Sequence, residues 1–393
     1  MGTDADIEEK IVVDPGAGNN LHNGSEQTSD LSDSSSGGET EEPTFDTGLN
    51  TWLQVLGSFF LFFNSWGVIN TWGAFQTYYE QSFLSDMSSD SIAWIGSLQS
   101  FLLMLFGVVT GPLFDAGYFR GLITFGTKRG LANGLAASGS SIGGVIYPIM
   151  FNQLQQSVGF EWATRAVGFL CFGTCCISCC LMRMRFQPKE KRKLIQLSAY
   201  KEPQFVMFSL AMFMGFLGFY NFLFYVQSYA IETGIVDSNL GFYLLAMLNA
   251  GSTFGRVLPN FVADHTGPLN VLTPAATATA ILAFAWIGVH NVPGIIVLAI
   301  LYGLTSGGFV SLPPVVMASM TKDIRNLGTR LGMVFSTTSF GLLIGTPIGG
   351  AILDSTHKYL GVQLFTACCL ITASSIFAAL RLSRTGFHFA VKA

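Results

Sequence analysis

Apolar stretches of about twenty residues recur from Thr51 to Leu380, each bounded by charge, proline or glycine, and no other feature constrains the fold as strongly. A bilayer's hydrocarbon core is about 30 Å thick, so about 20 helical residues cross it once. In lipid every backbone N–H and C=O needs an internal partner, which makes helices the structure of stretches this long. They fall near residues 51–75, 92–114, 130–152, 162–182, 204–230, 238–262, 268–289, 293–315, 328–351 and 360–380. The expected fold is all-α, a polytopic membrane protein of about ten spans. Of the 393 residues, 50% are hydrophobic and 11% charged, against about 25% charged in a typical soluble domain.

Charge tests the count independently, because cytoplasmic loops collect Lys and Arg. With the N-terminus inside, all 20 Lys and Arg except Arg165, Arg256 and Lys358 fall in cytoplasmic segments. Both termini are therefore expected in the cytoplasm, with the plasma membrane the expected location. Half of the 24 acidic residues lie between Asp4 and Asp46, where Lys10 is the one Lys or Arg. With few aromatics and no apolar periodicity, residues 1–50 read as a disordered acidic tail, and they lack the basic start and apolar run of a signal peptide. A four-span bundle (51–182), a basic loop (183–203), a six-span bundle (204–380) and a short tail (381–393) follow. A chain so divided suits a carrier that rocks one bundle against the other around a central site.

The seven cysteines make no disulfide framework: Cys171, Cys175, Cys176, Cys179 and Cys180 share one apolar stretch, Cys368 and Cys369 another. They read as small packing residues, with palmitoylation of Cys179 or Cys180 the alternative. Gly130 with Gly134, and Gly139 with Gly143, form two small-xxx-small pairs that face roughly opposite sides at about 100° per residue, so their helix can touch neighbours on both flanks. Pro313 and Pro314, after Gly307 and Gly308, remove two backbone donors and predict local unwinding, either beside a transport site or as a packing kink.

Several segments carry a resemblance. Asp46, Gly48 and Trp52 open the first span, Lys128-Arg129-Gly130-Leu131-Ala132-Asn133-Gly134 through Gly139 open the third, and Trp162-Ala163-Thr164-Arg165 the fourth. Leu197 to Pro203, Tyr225 to Ala230 and Ser306 to Pro314 add to them. Together they resemble the monocarboxylate porter branch of the major facilitator superfamily, especially its fungal members, over nearly everything after Asp46. The resemblance implies proton-linked or facilitated movement of small carboxylates, with fungal relatives also tied to vitamins and exported secondary metabolites. Two departures bear on the family's proton relay: Ser252 stands where animal members carry an acid one turn before the arginine, here Arg256, and Asn70-Thr71 stand near their first-helix lysine. A third is length. Relatives place their third and fourth helices where this chain has Gly121 to Thr127, too short to cross a bilayer, so the chain reads as a shortened carrier, expected to work poorly until the gap is filled.

Arg256 is the sharpest candidate, since a mid-membrane arginine costs about 2.5–3.5 kcal/mol on insertion scales. A carboxylate substrate could offset that through a bidentate pair; so could an internal partner, a backbone carbonyl or Asn249 two turns earlier. Asn64, Gly67 and Thr71 share a face, with Asn70 beside it, turned toward either a cavity or another helix. Tyr225 and Gln227 add polar groups among many Phe residues. Asp115 with Arg120, and Asp264 in the second bundle, resemble cytoplasmic gating loops, the alternative being solvated charge. The apolar centres of the spans hold no Asp, Glu or His, so proton coupling through the protein is not evident.

No phosphate-binding loop, nucleophile, metal cluster or nucleic-acid surface emerges, which leaves no expected cofactor and argues against an enzyme or an ATP-driven pump. The expected partners are the lipid bilayer and a small organic anion; whether an accessory membrane protein joins them does not follow from the sequence. The reading is a secondary transporter of a small organic acid or related metabolite, exporting a secondary metabolite or taking up a monocarboxylate. The alternative is a non-transporting membrane protein, a nutrient sensor or an inactive truncated carrier.

Overall fold

A computed structural model describes residues 49–106, 129–182, 195–321, 323 and 326–386. The acidic segment before Leu49, Asp115, Arg120, the join to Lys128, residues 183–194 of the basic loop and the final residues 387–393 lie outside them. All the described residues belong to one compact unit.

Among the described residues every regular element is helical: α1 (Leu49–Tyr78), α2 (Ser89–Leu105), α3 (Arg129–Leu181), α4 (Pro203–Glu232), α5 (Ser238–Thr266), α6 (Pro268–Ala285), α7 (Val292–Ser311), α8 (Pro313–Met320), α9 (Leu327–Thr356) and α10 (Tyr359–Thr385). Their starts use side chains to hold N–H groups that a helix cannot pair itself. Ser88 accepts from the N–H of Ser91, Asp237 from Leu240 and Asn291 from Gly294. Pro203 and Pro268 open α4 and α6, where a missing N–H costs nothing.

Seven of these helices are long and apolar enough to cross a membrane, fewer than the spans counted in the sequence, for three physical reasons. The 53-residue α3 holds two spans, because Gly159 (φ 82°, ψ 168°) breaks it. Gly139 and Ser178 both meet α1 within the turn Gly57–Phe59, so its two halves run antiparallel. α2 is described for 17 residues, and α5 carries Arg256, Asp264 and His265, which dilute its hydropathy. At Pro313 the helix is interrupted as expected, but by one residue: Leu312, at right-handed helical angles (φ −76°, ψ −25°), separates α7 from α8.

α1 packs on α3, α4 on α9 and α10, α5 on α7, and α6 on α7 and α10; the α1–α3 group, the first bundle expected from the sequence, meets the rest where α3 packs on α5, α2 on α9 and α1 on α4. Lipid tails are as apolar as leucine, so close approach and interhelical hydrogen bonds, not hydrophobicity, hold spans together. The two glycine pairs of α3 do this on two flanks. A Cβ on Gly134 would lie 2.5 Å from the carbonyl oxygen of Arg256 on α5, and one on Gly143 2.6 Å from that of Phe63 on α1. The second bundle is packed by rings: Phe216, Phe219, Phe222, Trp286, Tyr302 and Phe309 are buried in one continuous core. That core also takes in Ile92 and Met104 of α2.

Arg330, Arg381 and Arg384 lie at one end of the molecule, the basic end. Glu80, Asp90, Glu232, Asp237 and Asp354 lie at the other, the end that the charge pattern of the sequence leads one to expect outside and that is called the external end below.

Candidate substrate site between the helix bundles

Arg256 sits midway along α5, 4% exposed, facing α3 across the junction of the bundles. Its Nε donates to Ser252 Oγ one turn earlier (3.3 Å), and one terminal nitrogen to the carbonyl of Ala137 on α3 (3.3 Å). Ser141 Oγ donates to Ser252 Oγ across the same junction (3.1 Å). A guanidinium carries five N–H donors, and no ion pair holds this one among the described residues. Among the described residues, neutral partners satisfy some of its hydrogen bonds and none supplies a counter-ion. Of the internal partners considered, the carbonyl is present and the asparagine is not: Asn249 Nδ2 donates to Leu245 O within its own helix (2.9 Å), and its amide lies against Gly144.

An aromatic wall runs along the neighbouring part of α4. Tyr220 on α4, a neutral phenol, lies within electrostatic range of Arg256. Its hydroxyl donates to Asn70 Oδ1 on α1 (3.4 Å), and its ring stacks on Trp66 (centroids 6.5 Å apart, planes 19°). Phe216 and Phe224 continue the wall. Two turns along α4 from Tyr220 lies Gln227, fully buried, whose amide oxygen and nitrogen find no partner among the described residues. A buried amide left unpaired costs about 1–3 kcal/mol, so Gln227 stands out among the described residues as a polar group whose pairing needs an explanation. Tyr225 Oη, by contrast, is used up by the carbonyl of Thr346 on α9 (3.1 Å).

The polar stripe on α1 divides. Asn70 joins the wall, while Thr71 bonds back to Gly67 O (2.8 Å). Asn64 faces α3: its Oδ1 accepts from Tyr147 Oη (2.7 Å) and Thr174 Oγ1 (2.8 Å), and its Nδ2 donates to Cys175 Sγ (3.1 Å). Of the two readings of that stripe, helix contact is what the structure gives Asn64, so the structure does not bring it together with Arg256. Asp115 and Arg120 lie outside the described residues. Asp264 ends α5 with its carboxylate on the start of α3, accepting from the N–H groups of Gly130 (2.7 Å) and Leu131 (3.0 Å). One turn deeper, Asn133 Nδ2 bonds Ser311 O (2.6 Å) and Asn260 Oδ1 (3.3 Å). Ser141, Trp66, Asn133 and Asn260 went unmarked in the sequence; the first and third lie on the glycine-rich face of α3, a signal that could have found them.

Two helical bundles joined at their faces, with a buried cation and an aromatic wall between them, define a carrier-type membrane protein. The chain belongs to the Major Facilitator Superfamily, whose pattern it matches over residues 121–289 and 208–387, and it is a membrane transporter rather than an enzyme. It is similar to the MFS-type transporter dbaD of Emericella nidulans, 37% identical over 358 residues that cover 79% of this chain and 81% of the relative. It is also similar to the aspyridones efflux protein apdF of the same fungus, 35% identical over 378 residues covering 84% of this chain and 77% of that one. Its fold is similar to that of the human organic anion transporter MFSD10 (TETRAN), with a TM-score of 0.55 at 12% identity, over 84% of this chain and 97% of the other. The first two alignments run longer than the part of this chain they use: 358 positions against 79% of 393 residues, and 378 against 84%. About fifty positions are thus filled in each relative and empty here, the length of two spans of about 20 residues with their connections.

Proposed function

We propose that this chain is a secondary carrier of the monocarboxylate porter type that exports a small, flat organic acid made as a secondary metabolite. The observation that carries the reading is Arg256: a buried cation whose partners among the described residues are neutral, near a ring wall at the junction of two bundles. A carboxylate arriving there supplies the counter-charge through a planar bidentate pair, its rings lie on Trp66 and Tyr220, and Gln227 and Asn70 offer amides to its polar edge. Asp264 on the N-terminus of α3 acts as a clasp that must release for the basic end to open, with Asp115 and Arg120 its counterpart in the first bundle. Both termini lie in the cytoplasm of a plasma-membrane protein on this reading.

The test uses membrane vesicles holding the full chain and labelled aromatic carboxylates, each beside its neutral methyl ester. Saturable movement of the acids, absent for the esters, is expected. Arg256→Ala abolishes it while insertion persists, and Arg256→Lys rescues poorly because a point charge lacks the planar fork. Equal flux in the alanine variant removes Arg256 from the site. A second reading is favoured by the fifty empty positions: a shortened carrier that binds its ligand but turns over slowly until a helix pair from a relative is restored.

A further inference from the structure

α1 does not stop at the end of its span, Trp52–Tyr78, but winds through a π-helical turn, Tyr79–Phe83, that tucks Glu80 back between the bundles at the external end. Its Oε1 accepts from Gln76 Nε2 (2.9 Å) and its Oε2 from Ser228 Oγ on α4 (2.9 Å). Gln76 in turn holds Trp72 Nε1 (3.0 Å), and Ser228 lies 3.3 Å from Thr77 Oγ1. One carboxyl therefore closes a chain of side chains from the first bundle to the second. It has no ion pair among the described residues.

The ionisable groups within electrostatic reach of it are acidic or phenolic: Glu232 and Tyr225 on α4 and Tyr359 on α10, which donates to Glu232 (2.8 Å), with Asp90 of α2 and Asp354 of α9 beyond Tyr225. The basic groups of this end stand apart. Arg165 pairs with Glu161 (3.7 Å), while His290, His357 and Lys358 are exposed. Burial raises the Glu80 carboxyl above its ordinary range; the bonds from Gln76 and Ser228 oppose this, the charge of Glu232 adds to it, and Ser89 opposes it.

We infer that Glu80 is the carrier's proton-binding site, loaded when the external end closes around it and emptied when that end opens to water. The sign follows from the surroundings. In the closed form the neutral acid is favoured, and its O–H can donate to Ser228, so the latch survives protonation. In the open form water solvates the carboxylate and the proton leaves. The closed form thus binds more protons, and closure strengthens as pH falls through the window between an ordinary carboxylate and the raised one, by up to about tenfold for each pH unit crossed. This does not depend on which substrate is carried.

Hydrogen exchange of the purified full chain, corrected for the intrinsic pH dependence, reads closure directly in segments 72–90 and 225–232. Protection there should rise as pH falls, with a midpoint above the ordinary carboxylate range. Glu80→Gln, which keeps both hydrogen bonds as a neutral amide, should stay protected at every pH. Ser228→Ala, which removes a bond favouring the charged form, should move the midpoint up, and serves should the glutamine variant not fold. Glu232→Gln should move it down without removing it. A flat wild-type profile, a midpoint unchanged in Glu80→Gln, or a midpoint that does not rise in Ser228→Ala overturns the assignment.

Discussion

In the first bundle, α1 and the two halves of α3 meet backbone to backbone, glycine against carbonyl, with small hydrophobic clusters around Ala132, Ala136, Phe63 and Tyr147. In the second, α4 to α10 use the same contact, Gly251 on the carbonyl of Ile300, Gly341 on that of Phe213 and Gly345 on that of Leu217, and add one core of stacked and edge-on rings that also takes in buried residues of α2. The contrast teaches where this chain has slack. Rings can rotate or shift to absorb a change, whereas a glycine packed on a carbonyl has no room at all. About fifty positions present in relatives are empty here.

The largest effect should come from breaking a backbone contact. In Gly139→Leu the new side chain runs into the carbonyl of Phe59, which cannot step aside; overpacking costs about 1–3 kcal/mol, and more where backbone is the obstacle. Purified protein should lose its monodisperse peak on size-exclusion. Gly215→Ala in the second bundle meets only the ring edge of Phe309, 2.6 Å from the added Cβ, and should lower the melting temperature by a few degrees at most. Equal damage at both sites would erase the contrast.

The next effect is polar. Asn64→Leu strips Tyr147 Oη and Thr174 Oγ1 of their shared acceptor and should destabilise the chain by about 1–3 kcal/mol in thermal unfolding. Thr366→Val in the second bundle removes a buried hydroxyl with no partner among the described residues and should be neutral or slightly stabilising. The reverse order would mean that the polar cluster of the first bundle is dispensable.

The smallest change is at the clasp. Asp264→Asn keeps one acceptor and loses the charge on the start of α3, worth about 0.5–2 kcal/mol. Amide exchange at Gly130 to Asn133 should speed up by roughly tenfold, by RT arithmetic on about 1.4 kcal/mol, while the ring core of α4 to α10 stays protected. Unchanged exchange at α3 would show that the asparagine and serine contacts one turn deeper hold that end alone.

What the sequence makes legible follows from locality. Spans of α1, α4, α9 and α10 stand out because a run of about twenty apolar residues needs no tertiary information. The two-flank role of α3 stands out because 100° per residue fixes which glycines share a face. Ser252 beneath Arg256 is readable one turn away, but the carbonyl of Ala137 is not, since it arrives from another helix. The same holds for Asn64, whose partners come from both halves of α3. Glu80 was invisible for a different reason: it lies past the end of an apolar stretch, where a charge normally meets water, and only the π-helical turn carries it inward. Pro313 and Pro314 were legible as a break, which is short because a proline pair is tolerated in the first turn of a new helix, where α8 begins.

The central claim is that an acid is recognised between the bundles by Arg256, and equilibrium binding tests it without requiring turnover. Quenching of tryptophan fluorescence, to which Trp66 contributes on the ring wall, should report saturable binding of aromatic carboxylates to the purified full chain. The methyl esters should bind at least tenfold more weakly, about 1.4 kcal/mol for a lost charge-assisted pair, and that gap should vanish in Arg256→Ala. Esters that bind as tightly as acids, or an alanine variant that still prefers the acid, would contradict the account.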